Sequence, residues 1–352
     1  MARRLLVSAQ HLKAGQGGIG RVARLSVMAL ERRTGLRALA AEDDSRHSIG
    51  RVEVKPCYGS RTRFLFANSV LALGGSNVLY DFAGTARANL PGLNLRSSSA
   101  VWVHGYELWN PNGVRADYVK AVKRADLILV NSNYTLARIE ATIGALQAAR
   151  VCWLGTEQDE PAVQPRRNNV PTLLFLGRND EMFAKGQDIL IDAWPNVVSK
   201  IPQARLVFAG GGTHLSTLIE LARASSVSGN IDVLGFLSEA EVENVWRTAT
   251  AFAMLSYVEG FGLVFAEAMR HGLPVLASDD DASQEVNVDG VTGFNVSRAD
   301  RSGIVDRIVA LLGEPERAAV MGEAGLDHWR RNFCFSAFQA RLGNIIEPWF
   351  QS

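Results

Sequence analysis

The chain has 352 residues, of which 47% are hydrophobic and 21% are charged, and its formal net charge at pH 7 is +1. This length predicts two domains rather than a single core. No apolar run reaches the roughly 20 residues of a membrane-spanning helix, and three widely spaced cysteines exclude a disulfide framework or a zinc cluster.

The first predicted element is the strand Leu5 to Ala9, which follows two arginines. Its apolar run is interrupted at Ser8 and ends before Gln10, which is too short for the core of a signal peptide. Together with the cysteine usage, this predicts a cytoplasmic protein.

A glycine-rich loop follows this strand and includes Gly17 and Gly18. Residues 15–20 match the Gly-x-Gly-x-x-Gly dinucleotide fingerprint, which favours an NAD-dependent oxidoreductase as an alternative. Residues 10–14, however, separate the strand from the glycines, whereas in the fingerprint the strand ends at the first glycine. The loop is suited to an anion at a helix N-terminus, or is a plain turn.

Residues 61–73 form a predicted helix with two arginines and several large apolar residues. Such a helix can dock on anionic lipid. The apolar residues nearly encircle it, however, which favours a core helix that covers the N-terminal sheet.

Apolar runs alternate with helix-like stretches along the whole chain, which is the pattern of parallel sheets covered by helices. In the first half, His104 follows a buried strand and can contact a sugar hydroxyl. The predicted strands are Leu5 to Ala9, Asn77 to Tyr80, Ala100 to Val103, Leu127 to Val130, Thr172 to Leu176, Arg205 to Ala209, Ile231 to Leu234, Ala251 to Leu255 and Pro274 to Ala277.

A polar stretch with two prolines separates the two series of strands and predicts a linker. We therefore assign residues 1–158 to an N-terminal acceptor domain, 159–170 to the linker, 171–335 to a nucleotide-sugar-binding domain and 336–352 to a C-terminal helix that returns toward the first domain. Residues 1–158 carry 21 basic and 11 acidic groups. This excess attracts an anionic surface or the acidic second half.

Two cations follow the first strand of the second half, Arg178 at its end and Lys185 before the next helix. An arginine fork and a lysine charge at one site indicate a diphosphate clamp. The segment from Glu259 to Ala268 then reads as a glycine turn followed by a helix. Its glycines fit a phosphate, Glu259 lies in the turn, and Glu267 lies in the helix, where it can take the hydroxyls of a ribose.

These motifs resemble the retaining glycosyltransferases of the GT-B fold, in the large bacterial group with two glutamates separated by seven residues that includes mannosyltransferases. The resemblance rests on Glu259 and Glu267 and on their glycine-rich flanks. It also includes Gly17–Gly18, His104, Gly177–Arg178, Lys185–Gly186 and Gly235–Phe236. It implies an α/β protein of two Rossmann-like domains that face each other across a cleft.

The resemblance implies a hexosyltransferase of cell-surface polysaccharide or lipopolysaccharide biosynthesis that retains the anomeric configuration. GDP-mannose is the leading donor, a UDP-hexose is the next, and the acceptor is a glycan or lipid-linked glycan. The catalytic set would be His104, Glu259, Arg178 and Lys185, and the donor-binding set Gly17, Gly18, Arg178, Lys185, Phe236, Gly260, Phe261, Gly262, Leu263 and Glu267.

Two departures from the family leave the donor sugar open. Residues 281–285 replace the usual glycine pair before the next glutamate, and residues 154–157 replace the usual Asn-Gly-Val-Asp. Asp279, Asp280 and Asp281 imitate a metal site, but two cations already serve the phosphates, so we expect neither a metal nor another cofactor. A catalytically inert nucleotide-sugar-binding module is a further alternative. We expect no nucleic-acid partner, and contact with an anionic membrane at the inner face of the plasma membrane stays open.

Overall fold

The structure, a computed structural model, describes residues 4–33, 35–92, 97–110, 113–162, 170–180 and 183–351. The chain divides into two compact units, Met1–Glu157 with Phe335–Ser352, and Gln158–Cys334. Most of the predicted linker, residues 163–169, lies outside the described residues. Each unit is an α/β domain with a largely parallel sheet, so the prediction of two Rossmann-like domains is confirmed.

The first unit contains a sheet with the order β3-β4-β2-β1-β5-β6-β7-β8, parallel except for the β3–β4 pair. Its strands are β1 (Arg4–Ala9), β2 (Arg37–Ala40), β3 (His47–Ile49), β4 (Val52–Pro56), β5 (Ser76–Tyr80), β6 (Ser99–Val103), β7 (Leu127–Val130) and β8 (Ala149–Val151). Its helices, numbered in chain order, are α1 (Gly17–Leu30), α2 (Arg61–Leu73), α3 (Tyr106–Trp109), α4 (Ala116–Lys123), α5 (Asn133–Ile143) and α13 (Phe335–Gln351).

The second unit contains a parallel sheet with the order β11-β10-β9-β12-β13-β14. Its strands are β9 (Thr172–Leu176), β10 (Arg205–Ala209), β11 (Ile231–Gly235), β12 (Ala251–Met254), β13 (Val275–Ser278) and β14 (Gly293–Val296). Its helices are α6 (Gln187–Lys200), α7 (Leu215–Ala224), α8 (Glu239–Thr248), α9 (Leu263–Arg270), α10 (Ser283–Val286), α11 (Arg301–Gly313) and α12 (Pro315–Asn332).

Helix α13 belongs to the first unit although it ends the chain. Its buried residues Phe338, Leu342 and Ile346 recur every four positions, so one stripe of the helix packs into that unit. Gln339 donates a hydrogen bond to the carbonyl of Ala29 in α1 at 3.0 Å. The last helix therefore completes the core that the first 157 residues begin.

Helix α2 covers the first sheet with only one of its faces. Phe64, Asn68 and Ala72 are buried, as the core-helix interpretation requires. The opposite face is apolar and exposed, with Phe66 73% exposed and Val70 52% exposed. The nearly encircling apolar pattern thus reflects one buried face and one apolar face in contact with solvent.

Candidate functional site

The best candidate site in the second unit lies where the strand order reverses. Strand β9 pairs with β10 on one side and with β12 on the other. The strands that follow β9 in the chain are therefore added first on one side of it and, from β12 onward, on the opposite side. Ligands of open α/β sheets bind at such a switch point, outside the carboxyl ends of the strands. Lys185 follows β9 and Glu259 follows β12, which puts both predicted residues at this edge.

Backbone hydrogen bonds join the two loops at the switch point. The N–H of Leu255 donates to the carbonyl of Lys185 at 3.1 Å, and the N–H of Tyr257 donates to that of Ala184 at 3.2 Å. The segment after β12 is therefore tied to the loop that leads into α6. This pairing determines which side chains meet above the sheet.

The ammonium group of Lys185 lies 2.5 Å from Oε1 of Glu259, and both side chains are largely buried. Lys185 also packs along Gly177, where an added Cβ would lie 3.4 Å from its Cδ. The site thus presents a cation and a carboxylate side by side. They can serve two adjacent parts of one ligand, an anionic group and a set of hydroxyls.

Glu259 is held at its backbone by the segment between β13 and α10. Its N–H donates to Oδ2 of Asp281 at 3.1 Å, and its carbonyl accepts from the N–H of Ala282 at 3.2 Å. Oδ1 of Asp281 accepts from the N–H and the hydroxyl of Ser283. Burial, with a contribution from the charge of Glu259, raises the pKa of Asp281 to about 6. This contact, between residues 22 positions apart, is not predicted from the sequence, where Asp281 is one of three aspartates that imitate a metal site.

Two helices begin beside the Lys185–Glu259 pair, each after a glycine in the left-handed conformation. Gly186 (φ +78°) precedes α6 and Gly262 (φ +85°) precedes α9. A Cβ at Gly186 would lie 2.4 Å from the carbonyl oxygen of Leu255, and one at Gly262 would lie 2.4 Å from the Phe265 ring. Only glycine fits either position. The first N–H groups of each helix have no partner within the helix, which makes both helix starts favourable places for an anion.

Arg178 follows β9 by two residues, and its ion pair is with Asp180 rather than with the Lys185–Glu259 pair. Its Nε is 2.6 Å from Asp180, and its side chain is exposed. Its neighbour Asn179 is buried, donates to the carbonyl of Gly210 and accepts from the side chain of Gln187. Asn179 therefore braces the loop, while Arg178 reaches into solvent.

The remaining predicted residues of the glycine turn differ in what they expose. Gly260 and Leu263 are partly buried, and so is Glu267, which lies in the second turn of α9. The Phe261 ring is 2% exposed and packs edge-on against Phe333. The ring therefore offers no surface to a ligand, and the assignment of Phe261 to the donor site stays a prediction.

Phe236 follows β11 and is 85% exposed. It stands beside Gly211, where an added Cβ would lie 3.5 Å from the Cβ of Phe236. An exposed aromatic ring at the carboxyl edge of the sheet is a surface on which a planar base can stack.

The strand order of the first unit also reverses, between β1 and β5, and polar residues follow the strands at this switch point. Asp81 follows β5 and is fully buried; it accepts from the N–H of Gln10 at 2.8 Å and from the Thr85 hydroxyl at 2.6 Å. Burial raises its pKa to about 7. Nε2 of His104 lies 2.8 Å from the carbonyl oxygen of Asp81. A carbonyl only accepts, so His104 donates from Nε2, and its Nδ1 is the acceptor when the ring is neutral.

The predicted phosphate glycines lie at the start of α1. Gly17 has φ +77°, whereas Gly18 has no positive φ and an added Cβ there would meet nothing within 4 Å. The fold therefore needs glycine at position 17 for its backbone. At position 18 neither the backbone nor the packing requires it.

Within the described ranges, no group of three or more His, Cys, Asp or Glu side chains is placed to hold a metal ion. Asp279 and Asp280 point to solvent, and Asp281 is occupied with Glu259 and Ser283. No helix in the same ranges has the length and apolarity to cross a membrane.

Comparison with known proteins identifies the family. A Corynebacterium glutamicum protein named GDP-mannose-dependent monoacylated alpha-(1-6)-phosphatidylinositol monomannoside mannosyltransferase is 31% identical over 263 residues, covering 69% of this chain and 68% of the relative. The family described as glycosyl transferases group 1 matches residues 156–328. The chain belongs to this family. A second relative of this glycosyltransferase, a GDP-mannose-dependent mannosyltransferase from Mycolicibacterium smegmatis, is 30% identical with the same coverage.

Solved structures agree with the fold of this glycosyltransferase. Sucrose-phosphate synthase from Thermosynechococcus elongatus superimposes with a TM-score of 0.82 over 99% of this chain and 100% of that one, at 19% identity. The Anabaena protein Alr3699/HepE, solved with UDP and glucose, gives 0.79 over 98% of this chain and 99% of that one, at 17% identity. The predicted GT-B fold class is confirmed.

Proposed function

We propose that this glycosyltransferase moves mannose from GDP-mannose to a phosphoinositol-based glycolipid with retention of the anomeric configuration. The observation that carries the proposal is the Lys185–Glu259 pair at the switch point of the second unit, beside the N-termini of α6 and α9. The donor and the acceptor class come from the names of the relatives, which act on phosphatidylinositol monomannoside.

The charges of the site match the two parts of a sugar nucleotide. Lys185 and the two helix N-termini favour the diphosphate, which carries negative charge that increases as the bond to the sugar breaks. Glu259 can accept hydrogen bonds from hydroxyls of the sugar. Glu267 is suited to the ribose and the exposed Phe236 ring to the base, although a carboxylate and a ring do not select guanine by themselves.

The reaction breaks the bond between C1 of mannose and the diphosphate oxygen and forms a bond between C1 and an acceptor oxygen. The proton of the acceptor hydroxyl passes to the departing phosphate, and GDP leaves. This course needs no covalent nucleophile. Because Glu259 is already paired with Lys185, the bound donor must share or replace that contact, with its phosphates taking Lys185 and its hydroxyls taking Glu259.

A thermal-shift titration with GDP, UDP, ADP, dTDP and NAD tests the donor, because a ligand that binds only the folded state raises its stability. We expect GDP to stabilise the protein most. Stabilisation by UDP instead would replace mannose with a UDP-hexose, and stabilisation by NAD alone would restore the oxidoreductase alternative. Retention predicts an α-linked product from GDP-α-mannose, readable from the anomeric signals in an NMR spectrum, and a β-linked product would contradict it.

We also infer that the outer face of α2 contacts an anionic membrane. Phe66 and Val70 expose apolar surface, and Leu73 extends the same stripe by a further turn. The basic excess of residues 1–158 complements anionic lipid, and a lipid-linked acceptor would itself be found in a membrane.

Sedimentation with vesicles tests the contact. We expect the protein to bind phosphatidylglycerol vesicles more strongly than phosphatidylcholine vesicles, and Phe66→Ser with Val70→Ser to reduce this binding. Since both side chains are exposed, the double variant should unfold at the same temperature as the wild type. Equal binding to both kinds of vesicle, or unchanged binding of the double variant, would exclude α2 as the contact.

A further inference from the structure

The first unit has a cavity of its own that the donor chemistry does not use. Its volume is about 320 Å³. It opens at the switch point between β1 and β5, where Gln10 follows β1, Glu42 follows β2 and Phe82 follows β5. By the same rule that puts a ligand in the second unit, this crevice is a binding position.

The polar groups of the cavity are divided by charge. On the side of β1 and β2, the Glu42 carboxylate accepts from Nε2 of Gln10 at 2.7 Å and faces His11 at 3.2 Å. On the side of α2 and the turn after β5 are the guanidinium groups of Arg61 and Arg87. One wall can therefore accept hydrogen bonds from hydroxyls, and the other can bind an anion.

The two arginines differ in how they are held. Arg87 donates to the carbonyl of Gly84 at 2.9 Å and to Asp117 at 3.0 Å, so its position is set and its charge is shared. Arg61 lies in the first turn of α2, is exposed, and has no hydrogen-bond or ion-pair partner in the described part of the chain. Arg61 is thus the cation available to an incoming anion.

An aromatic wall completes the cavity. Phe82 and Tyr118 meet edge to face, with ring centroids 6.3 Å apart, and the guanidinium of Arg87 lies 5.2 Å from the Tyr118 ring centroid. Aromatic faces pack against the C–H surfaces of saturated rings, whose hydroxyls then point to the polar wall. A ligand with a saturated ring, several hydroxyls and one anionic group matches all three walls.

We infer that this cavity binds the head group of the acceptor, a phosphorylated cyclic polyol, with its phosphate on Arg61 and its hydroxyls toward Glu42. The inference rests on the proposed function for the role of that ligand as acceptor. The cavity chemistry itself does not depend on the identity of the donor. Because Arg61 belongs to α2, the lipid tail of such an acceptor would leave the cavity beside the helix with the exposed apolar face.

Calorimetric titration with D-myo-inositol 1-phosphate, the head group of phosphatidylinositol, tests the cavity directly without any donor. We expect Arg61→Ala to weaken this binding by about tenfold, the effect of losing one charge-assisted contact. Glu42→Gln should weaken the binding of D-myo-inositol 1-phosphate and leave the binding of inorganic phosphate unchanged. The control is Arg124→Ala, since Arg124 is an exposed arginine of the same unit that does not line the cavity. It should bind as the wild type does.

Several outcomes would overturn the inference. Equal losses in the Arg61 and Arg124 variants would mean that only the general charge of the unit matters. Inorganic phosphate that binds as tightly as D-myo-inositol 1-phosphate would reduce the cavity to an anion site. In kinetic assays, Arg61→Ala should raise KM for a phosphatidylinositol acceptor in detergent. The rate of GDP release from GDP-mannose, measured without acceptor, should stay unchanged.

The same measurements separate this inference from the proposed donor. If the wild type binds D-myo-inositol 1-phosphate through Arg61 but does not bind GDP, the donor proposal fails and the cavity assignment stands. If GDP-mannose turns over but the Arg61 variant keeps the acceptor KM of the wild type, the cavity assignment fails alone.

Discussion

The carboxylate of Asp281 holds Glu259 by its backbone N–H, at 3.1 Å. Both oxygens of Asp281 accept from backbone N–H groups, one from Glu259 and the other from Ser283. An amide NH₂ group in place of either oxygen would face a donor instead of an acceptor. The turn that carries Glu259 therefore depends on a residue 22 positions later in the chain.

We expect Asp281→Asn to lower kcat by about tenfold or more while GDP affinity stays within about twofold. The substitution would displace the Glu259 carboxylate, which is proposed to stabilise the sugar in the transition state and not to bind the nucleotide. An asparagine must turn its NH₂ group toward one of the two N–H donors, which breaks one of the contacts. Steady-state kinetics and calorimetry with GDP measure the two effects. A variant with normal kcat would show that the contact does not position Glu259.

Substitutions of the two paired side chains at the switch point, Glu259 and Lys185, should have different effects. Glu259→Ala should reduce transfer by about a hundredfold or more and leave GDP binding nearly intact, because its proposed contacts are to the sugar. Lys185→Ala should weaken GDP by about tenfold to a hundredfold, because a charge-assisted contact to the diphosphate is lost. Full turnover in the Glu259 variant would remove that residue from the site.

Asp81 should make the first unit sensitive to pH in a defined direction. Its folded pKa of about 7 lies above the ordinary value of 3.8, so between these values the folded state binds more protons than the unfolded state. Its contribution to stability is therefore full at low pH and falls as the pH rises from about 4 to about 7.

Asp81→Asn should remove this dependence. The asparagine oxygen can accept from Gln10 while its NH₂ group donates to Thr85, whose hydroxyl can turn to the carbonyl of Phe82, 3.0 Å away. Between pH 4 and pH 7, the free energy of unfolding of the variant should rise by about 2 to 4 kcal/mol relative to that of the wild type, as measured by urea unfolding. A difference that stays constant with pH would contradict the assignment.

Gly186→Ala should destabilise the second unit by about 2 kcal/mol or more, because its φ of +78° is strained for alanine and the added Cβ would meet the Leu255 carbonyl. Gly290→Ala is the matched control, with φ +72° and nothing within 4 Å of an added Cβ. It should cost about 1 kcal/mol, the conformational part alone. Equal losses in thermal unfolding would mean that the close contact with Leu255 has no separate cost.

Gly18→Ala tests whether that glycine is needed for a ligand. Since alanine fits there without strain or contact, the melting temperature should stay within about 2 °C of the wild-type value. If the backbone approaches the donor phosphates, transfer should nevertheless fall by about tenfold. Unchanged kinetics would reduce the loop to a turn.

The predicted strands were found because parallel strands covered on both faces read as continuous apolar runs, as β1 and β9 do. Two of the strands that were missed carry no such run. β4 lies inside the sheet but alternates buried and exposed residues. β8 has three residues and none is fully buried. In helix α2 the difficulty is an excess of apolar residues. Periodicity cannot distinguish its apolar outer face from its buried face.

The sequence by itself determined the two α/β domains, the glycine turns before α6 and α9, and the presence of Lys185 and Glu259 at strand ends, because all of these follow from local patterns of apolar, glycine and charged residues. Only the tertiary structure decided that β12 pairs with β9, which brings together a lysine and a glutamate 74 residues apart. It also decided that Asp281 holds Glu259 and that a cavity forms beside α2. Such contacts depend on strand order and loop direction, which non-local packing selects and which no stretch of sequence encodes alone.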